Sequence, residues 1–193
     1  MSTAVMMQQI AGASPPRPQA RMTGVVYLFY FLAAVCGGFF LKGLVVDGDA
    51  AATANNLLAH QALFRLGLAT GLIATACYIA VAALFYSLFK PVNRSLSLIA
   101  AFFSLVGCAV TAFGSLFQLA PLVVLGGAQY LSVFNVEQLR ALALMSLQLN
   151  TETANICLLL FGFYDLLIGY LIFRSVFLPR FLGVLWRLRV WVG

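Results

Sequence analysis

Asp165 is the residue whose type and position most strongly indicate chemistry. It is the only charged residue in the apolar run 153–173, and Tyr164 precedes it. An ionised carboxylate at the centre of a bilayer costs about 2.5 to 3.5 kcal/mol on insertion scales unless it is paired or protonated. Acidic residues in membrane segments mark proton relays, ion sites and substrate contacts, although a protonated or paired Asp also holds helices together. We therefore predict that Asp165 and Tyr164 line a polar pathway for a ligand or ion.

Arg65 carries the charge that would pair with Asp165. It lies at the outer end of its apolar run, however, whereas Asp165 lies well inside its own run. At such positions the long side chains of Arg65 and of Lys42 can instead extend to the lipid headgroups. We predict that Arg65 guards the outer mouth of the pathway, with extension to the headgroups as the alternative.

Metal and catalytic motifs are missing from the sequence. His60 is the only histidine, which excludes a site with several histidines. The four cysteines stand in separate apolar runs without a C-x-x-C pair, so they are expected to be small hydrophobes. No nucleotide loop, zinc motif or nucleophile elbow occurs. We predict no metal, no cofactor and no catalytic residue, and an enzyme is the least favoured class because acid–base catalysis usually recruits two groups.

Four long apolar runs must position these residues. The chain has 193 residues, of which 63% are hydrophobic and 8% charged, whereas a soluble domain carries about 25% charged residues. About 20 apolar residues cross a bilayer. We expect an all-α, polytopic transmembrane helical bundle with four clear spans at about 24–46, 66–89, 96–121 and 153–173. Pro121 predicts a kink or an end in the third span because proline lacks a backbone donor.

Two shorter helices are predicted outside the spans, at about 50–61 and 136–149, with Asp49 and Asn135 as their N-caps. The two ends of the chain are predicted to differ from the spans. Residues 1–20 are predicted to be a disordered cytoplasmic tail, and residues 21–193 a single transmembrane helical domain. The stretch after Phe181 is too short to span a bilayer. It is expected to form an interfacial or truncated fifth segment.

Six single basic residues at the ends of the apolar runs fall on one side of the membrane if each run crosses once. They are Arg17, Arg21, Lys90, Arg94, Arg174 and Arg180. The positive-inside rule then places the N-terminus and these loops in the cytoplasm, and the loops with the two short helices outside. Because the net charge of +6 comes from dispersed residues, we predict no nucleic-acid partner. The predicted partner is the lipid bilayer, with a homo-oligomer or a membrane partner protein left open.

Gly67 and Gly71 form a G-x-x-x-G pattern that Thr75 extends by one further turn. Small residues four apart let helix backbones approach closely in a membrane. We predict that these three residues serve helix packing.

Several segments spread over the chain form a set that resembles a known family. They are Gly48 to Asn56, Leu63 to Gly67, Lys90 to Arg94, Tyr130 to Phe134, Glu137 to Leu139, Gly169 to Ser175 and Phe177 to Gly183. From about Arg21 to Gly183 the chain resembles the DUF4386 family of bacterial membrane proteins, which have no assigned function. The resemblance implies a further apolar span where this chain has Arg187 and Arg189, hence a C-terminally shortened copy, and it lends no catalytic residues.

The function predicted from these features is that of a multi-pass protein of the inner (plasma) membrane that binds or moves a small molecule or ion. The alternative is a non-catalytic membrane subunit for sensing or assembly, whose outer helices contact another protein. Asp165 distinguishes them: access to water would favour the first, and dry burial beside an exposed apolar outer helix the second.

Overall fold

Five α-helices and one short 3-10 helix make up the part of the chain that the structure describes, residues 17–175. In this computed structural model the α-helices are α1 (Arg17–Leu41), α2 (Ala50–Ala59), α3 (Gln61–Phe89), α4 (Arg94–Val124) and α5 (Val136–Arg174). The 3-10 helix covers Gln129–Leu131. Helices α1, α3, α4 and α5 are long and apolar enough to cross a membrane. The predicted all-α fold with four candidate transmembrane helices is confirmed.

Within the predicted N-terminal tail of residues 1–20, the structure places Arg17 to Ala20 in α1. The rest of that tail lies outside the described residues. So does the predicted fifth segment after Phe181.

Helix α5 corrects the predicted division between an outer helix at 136–149 and a span that starts at 153. The structure has one continuous helix of 39 residues, Val136–Arg174. Asn150, Thr151 and Glu152 lie between the two predicted segments, but each costs a helix at most about 0.7 kcal/mol. Thr151 also donates its hydroxyl to the Leu147 carbonyl within the helix, at 3.2 Å. Residues of this kind are therefore tolerated in a helix that other contacts hold.

Helix α4 continues for less than one turn beyond Pro121 and ends at Val124. Proline cannot donate to the carbonyl four residues before it, which weakens the last turn. Gly127 then adopts a φ of +73° and lets the chain leave the helix. The end of the helix thus follows the proline closely, as its missing donor leads one to expect.

Both predicted N-caps are confirmed. The Asp49 carboxylate accepts from the Ala52 N–H at 2.8 Å at the start of α2. At the start of α5, the Asn135 side chain accepts from the Gln138 N–H at 2.8 Å, and the Gln138 side chain accepts from the Asn135 N–H at 2.9 Å. This reciprocal pair is a capping box, and it fixes where α5 begins.

Contacts divide the chain into two compact units. Within the described residues, unit 1 contains the stretches 17–28, 77–108 and 158–175, and unit 2 contains 29–76 and 109–157. In unit 2 a hydrophobic cluster is formed by Leu44, Leu57, Phe64 and Leu147, with Leu41, Leu122 and Leu125 packed against it. In unit 1 buried side chains of α3, α4 and α5 form the interior, among them Val81, Phe89, Ala100, Cys108, Tyr164 and Ile168.

Candidate functional site: a polar pocket in unit 2

Unit 2 contains a cavity of about 290 Å³, here called the polar pocket. Its lining residues are Leu41, Val45, Asp47, Phe64, Gln118, Leu144, Leu147, Gln148, Asn150 and Thr151. They come from the end of α1, the loop after it, the start of α3, the end of α4 and the first half of α5. One water molecule occupies about 30 Å³ of liquid. The pocket is therefore large enough for a small organic molecule.

One part of the lining is apolar. Phe64 and Leu147 are buried members of the hydrophobic cluster of unit 2, and Leu41 packs against that cluster. Because this part of the wall belongs to a packed core, its shape is held by neighbouring side chains and not by the pocket's contents.

The other part of the lining is polar and has unused hydrogen-bonding capacity. The side chains of Asp47, Gln118, Gln148 and Asn150 make no hydrogen bond and no ion pair with any described residue. A side-chain amide offers two donors and one acceptor oxygen, and a carboxylate offers acceptors only. Asp47 and Gln148 are exposed, and Gln118 and Asn150 are half-buried. These groups can therefore be hydrated or can bind a polar ligand.

The loop that carries Asp47 is anchored by Thr53 of α2. The Thr53 hydroxyl accepts from the Val46 N–H at 3.0 Å and donates to the Val46 carbonyl at 3.1 Å. Thr53 is itself 1% exposed. Gly48 has a φ of +77°, which only glycine adopts without strain. The loop is thus anchored at Val46, directly before Asp47, whose own side chain is exposed.

Gly114 brings α4 and α5 together beside the pocket. A Cβ atom at this position would lie 2.8 Å from Thr153 Cγ2 and 3.5 Å from Asn150 Oδ1. Gln118 lies one turn further along the same helix. The absence of a side chain at Gly114 therefore lets the two amide-bearing helices approach each other, and it places Gln118 and Asn150 on a shared wall.

Asp165 and Tyr164, which the sequence indicates as pathway residues, lie in unit 1. Asp165 is 7% exposed and Tyr164 is 1% exposed. The Tyr78 ring of α3 lies edge-on to Tyr164, with ring centroids 6.0 Å apart, and also to Phe161 at 5.1 Å. Asp165 is therefore buried in unit 1, and Tyr164, its neighbour in sequence, packs against Tyr78. Its role in a pathway stays a prediction.

Arg65 belongs to unit 2 and its side chain is exposed. It follows the pocket residue Phe64 in α3 but does not itself line the pocket. Arg65 is part of unit 2, whereas Tyr164 and Asp165 are part of unit 1.

The G-x-x-x-G pattern lies where α1 and α3 approach. A Cβ on Gly67 would lie 2.7 Å from Leu41 Cγ, whereas a Cβ on Gly71 would meet nothing within 4 Å. From the other side, a Cβ on Gly37 would lie 3.1 Å from Thr70 Oγ1 and 3.6 Å from the Gly71 backbone nitrogen. Thr75 donates its hydroxyl to the Gly71 carbonyl at 3.0 Å. The close contact thus falls on Gly67 and Gly37.

The polar pocket itself was missed by sequence reasoning. Its signal is a set of amides at the ends of apolar runs, namely Gln118 in α4 and Gln148 and Asn150 in α5. Each alone indicates only the edge of a membrane span. They become a site only because α4, α5 and the Asp47 loop converge, which no local pattern reveals.

The chain matches a family model described as "Domain of unknown function (DUF4386)" over residues 22–188. This range includes all of α2, α3, α4 and α5 and nearly all of α1. No curated protein and no solved structure matches the chain.

Proposed function

The chain belongs to the DUF4386 family, and from that premise we propose that this multi-pass membrane protein binds a small polar molecule in the polar pocket. The observation that carries the proposal is the group of four polar side chains that have no partner among residues 17–175, around a cavity of about 290 Å³. Ligand sites typically combine a largely preformed apolar wall with a few convergent polar groups. The pocket has both.

The pocket lies at the polar end of its helices. The 21 residues 153–173 of α5 measure about 31 Å, which equals the thickness of a bilayer's hydrocarbon core. Gln148, Asn150 and Thr151 precede this stretch and thus lie at or beyond the boundary of the core. With the orientation that the positive-inside rule predicts, the pocket takes its ligand from the outside of the inner membrane.

The predicted pathway of Arg65, Tyr164 and Asp165 is a separate part of this proposal. It concerns movement of the ligand or of an ion, whereas the pocket concerns binding. A pathway requires that water or an ion reach a carboxylate that is 7% exposed. The two parts are therefore tested by different variants.

Water access to the pocket is tested with Gln118→Cys in a background without the native cysteines. Cys36, Cys77 and Cys108 are replaced by Ala, and Cys157 by Ser, because Cys157 accepts a hydrogen bond from Thr111 at 3.4 Å. Leu116→Cys on the same helix is the matched control, since Leu116 is 58% exposed on an apolar surface. We expect a small methanethiosulfonate reagent to modify only Gln118→Cys in membrane vesicles. Equal inertness of both variants would contradict the proposal.

Binding itself is measured by thermal unfolding of the purified protein with panels of small amines, sugars and carboxylic acids. A ligand of the folded state raises its stability by RT ln(1 + [L]/Kd). We expect one of these classes to raise the Tm of the native chain and to lose this effect in Gln118→Leu/Asn150→Leu. Stabilisation that survives the double substitution would place binding elsewhere.

A second candidate function, a sensing or assembly subunit, is favoured by an apolar groove at the start of α5. The groove is lined by Phe134, Gln138, Ala141, Leu142 and Met145. Nearby Val133 is 80% exposed and Val136 is 62% exposed. This segment precedes the membrane stretch of α5, so its exposed apolar side chains suit a protein partner. A photo-crosslinking amino acid at Gln138 tests this: an adduct with one discrete protein supports it, and adducts with lipid alone contradict it.

A further inference from the structure

We propose that the ligand of the polar pocket is a small organic cation, such as an amine or a quaternary ammonium compound, with the Asp47 carboxylate as its counter-charge. This inference rests on the proposed function and names the ligand class of the same pocket. It has three supports: the charge of the lining, the size and polarity of the cavity, and the anchored loop that carries Asp47.

The lining has a single charged residue, Asp47. Its carboxylate forms no ion pair with any part of the chain between residues 17 and 175. Lys42 and Arg65 are neighbours in sequence of the lining residues Leu41 and Phe64, but neither lines the pocket. A cleft lined by one sign of charge, with walls of low dielectric constant, concentrates ions of the opposite sign. The pocket therefore favours cations over anions.

The cavity suits an organic cation better than a bare metal ion. Calcium and magnesium require about six or more oxygen ligands within about 2.0–2.6 Å of the ion. Here one carboxylate faces a cavity of about 290 Å³ whose other wall is formed by Leu41, Phe64 and Leu147. An organic cation has carbon groups to cover that wall, so it matches both parts of the lining.

The amides complete the recognition of such a cation. Asn150 and Gln118 are half-buried in the pocket, and each offers a carbonyl oxygen that can accept from an ammonium N–H or from a ligand hydroxyl. Their N–H groups can donate to a ligand oxygen. The inferred ligand thus carries a positive charge, an apolar part and at least one further hydrogen-bonding group.

Asp47 is suited to act as the counter-charge because the loop that carries it is anchored. The anchors are the two hydrogen bonds between Thr53 and Val46. A loop that already has its conformation before the ligand arrives loses little conformational freedom on binding. Thr53 is therefore a positioning residue for the loop that carries Asp47.

The experiment compares two thiol reagents of similar size and opposite charge on Gln118→Cys in the cysteine-free background. They are trimethylammonioethyl methanethiosulfonate, itself a small organic cation, and sulfonatoethyl methanethiosulfonate. Each rate is divided by the rate of the same reagent with a free thiol in solution. We expect the cationic reagent to be favoured by about tenfold, the lower end of electrostatic focusing, and Asp47→Asn to remove most of this preference.

Glu152→Gln is the matched control. It removes the same charge next to Thr151 but outside the lining, and it keeps an acceptor for the Asn155 side chain. The inference is overturned if the normalised rates are equal, or if Asp47→Asn and Glu152→Gln change them equally. In both cases the thiol still reacts, so the proposed pocket stands and only its charge preference fails. A thiol inert to both reagents would instead contradict the proposed function.

Discussion

At the scale of single residues, the polar pocket depends on a side chain outside it. Thr53 accepts from one backbone group of Val46 and donates to the other, and so anchors the loop that carries Asp47. The sequence indicates Thr53 only as a polar residue in a short helix. Its role follows from a turn that brings residue 46 back beside residue 53.

Thr53→Val removes both hydrogen bonds and leaves the Val46 N–H without its acceptor. We expect a loss of about 1–3 kcal/mol in the free energy of unfolding, together with a weaker preference of Gln118→Cys for the cationic reagent. Thr53→Ser keeps the hydroxyl and is expected to retain the reagent preference. Chemical denaturation and the labelling rates measure the two effects. Equal behaviour of Val and Ser at this position would rule out a role for the hydroxyl.

Ser104 of α4 is fully buried, and its hydroxyl makes no hydrogen bond with another described residue. An unsatisfied buried hydroxyl lowers stability, because it loses its contacts with water on folding. Ser104→Ala is therefore expected to keep or to raise the Tm. The thermal unfolding curve in detergent is the measurement. A clear decrease in Tm would mean that the hydroxyl has a partner such as a bound water.

Asp165→Cys tests the predicted pathway. If the pathway exists, a small water-soluble thiol reagent reaches this position in membranes. We expect modification that is slower than at Gln118→Cys, because Asp165 is 7% exposed. An unmodified thiol in folded, well-expressed protein would leave Asp165 a packing residue and remove it, with Tyr164, from the pathway.

At the scale of the elements, the contact between α1 and α3 distinguishes two glycines that look equivalent in sequence. In Gly67→Ala the new Cβ would lie 2.7 Å from Leu41 Cγ, whereas in Gly71→Ala it would meet open space. We expect Gly67→Ala to destabilise the protein by about 1–3 kcal/mol through overpacking. Gly71→Ala is expected to be neutral or to stabilise by up to about 1 kcal/mol through its helix propensity. The measurement is the free energy of unfolding of both variants by reversible unfolding in detergent. A less stable Gly71→Ala than Gly67→Ala would refute the close contact at Gly67.

Helix α5 shows where local reasoning reaches its limit. The spans, Asp49 and Asn135 are visible in the sequence because hydropathy and capping depend on neighbouring residues. The continuity of α5 through Asn150 is not visible, because polar residues between two apolar stretches are equally compatible with a break and with a continuous helix. The pocket wall is not visible either, because it requires that Gly114 of α4 lie against this segment of α5.

At the scale of the whole molecule, the candidate spans are established by length and composition, and the orientation remains a prediction. Single cysteines at Gln138 and Pro91 in the cysteine-free background test it, since Gln138 precedes the membrane stretch of α5 and Pro91 lies between α3 and α4. We expect a reagent that cannot cross membranes to modify Gln138→Cys in intact cells, and Pro91→Cys only after permeabilisation. The reverse pattern would place the pocket on the cytoplasmic side.

Helix α1 is covered by other parts of the protein less than the other long helices are. Only 6% of its most apolar 18-residue stretch is buried. Its apolar surface must therefore suit acyl chains more than other side chains. Over evolutionary time most of its positions are free to drift among Leu, Val, Phe and Ile, because lipids adapt to any such surface. Only positions such as Gly37 and Leu41, which contact α3, have to keep their shape. Mutational scanning of this helix should reveal a tolerance that the packed helices do not share.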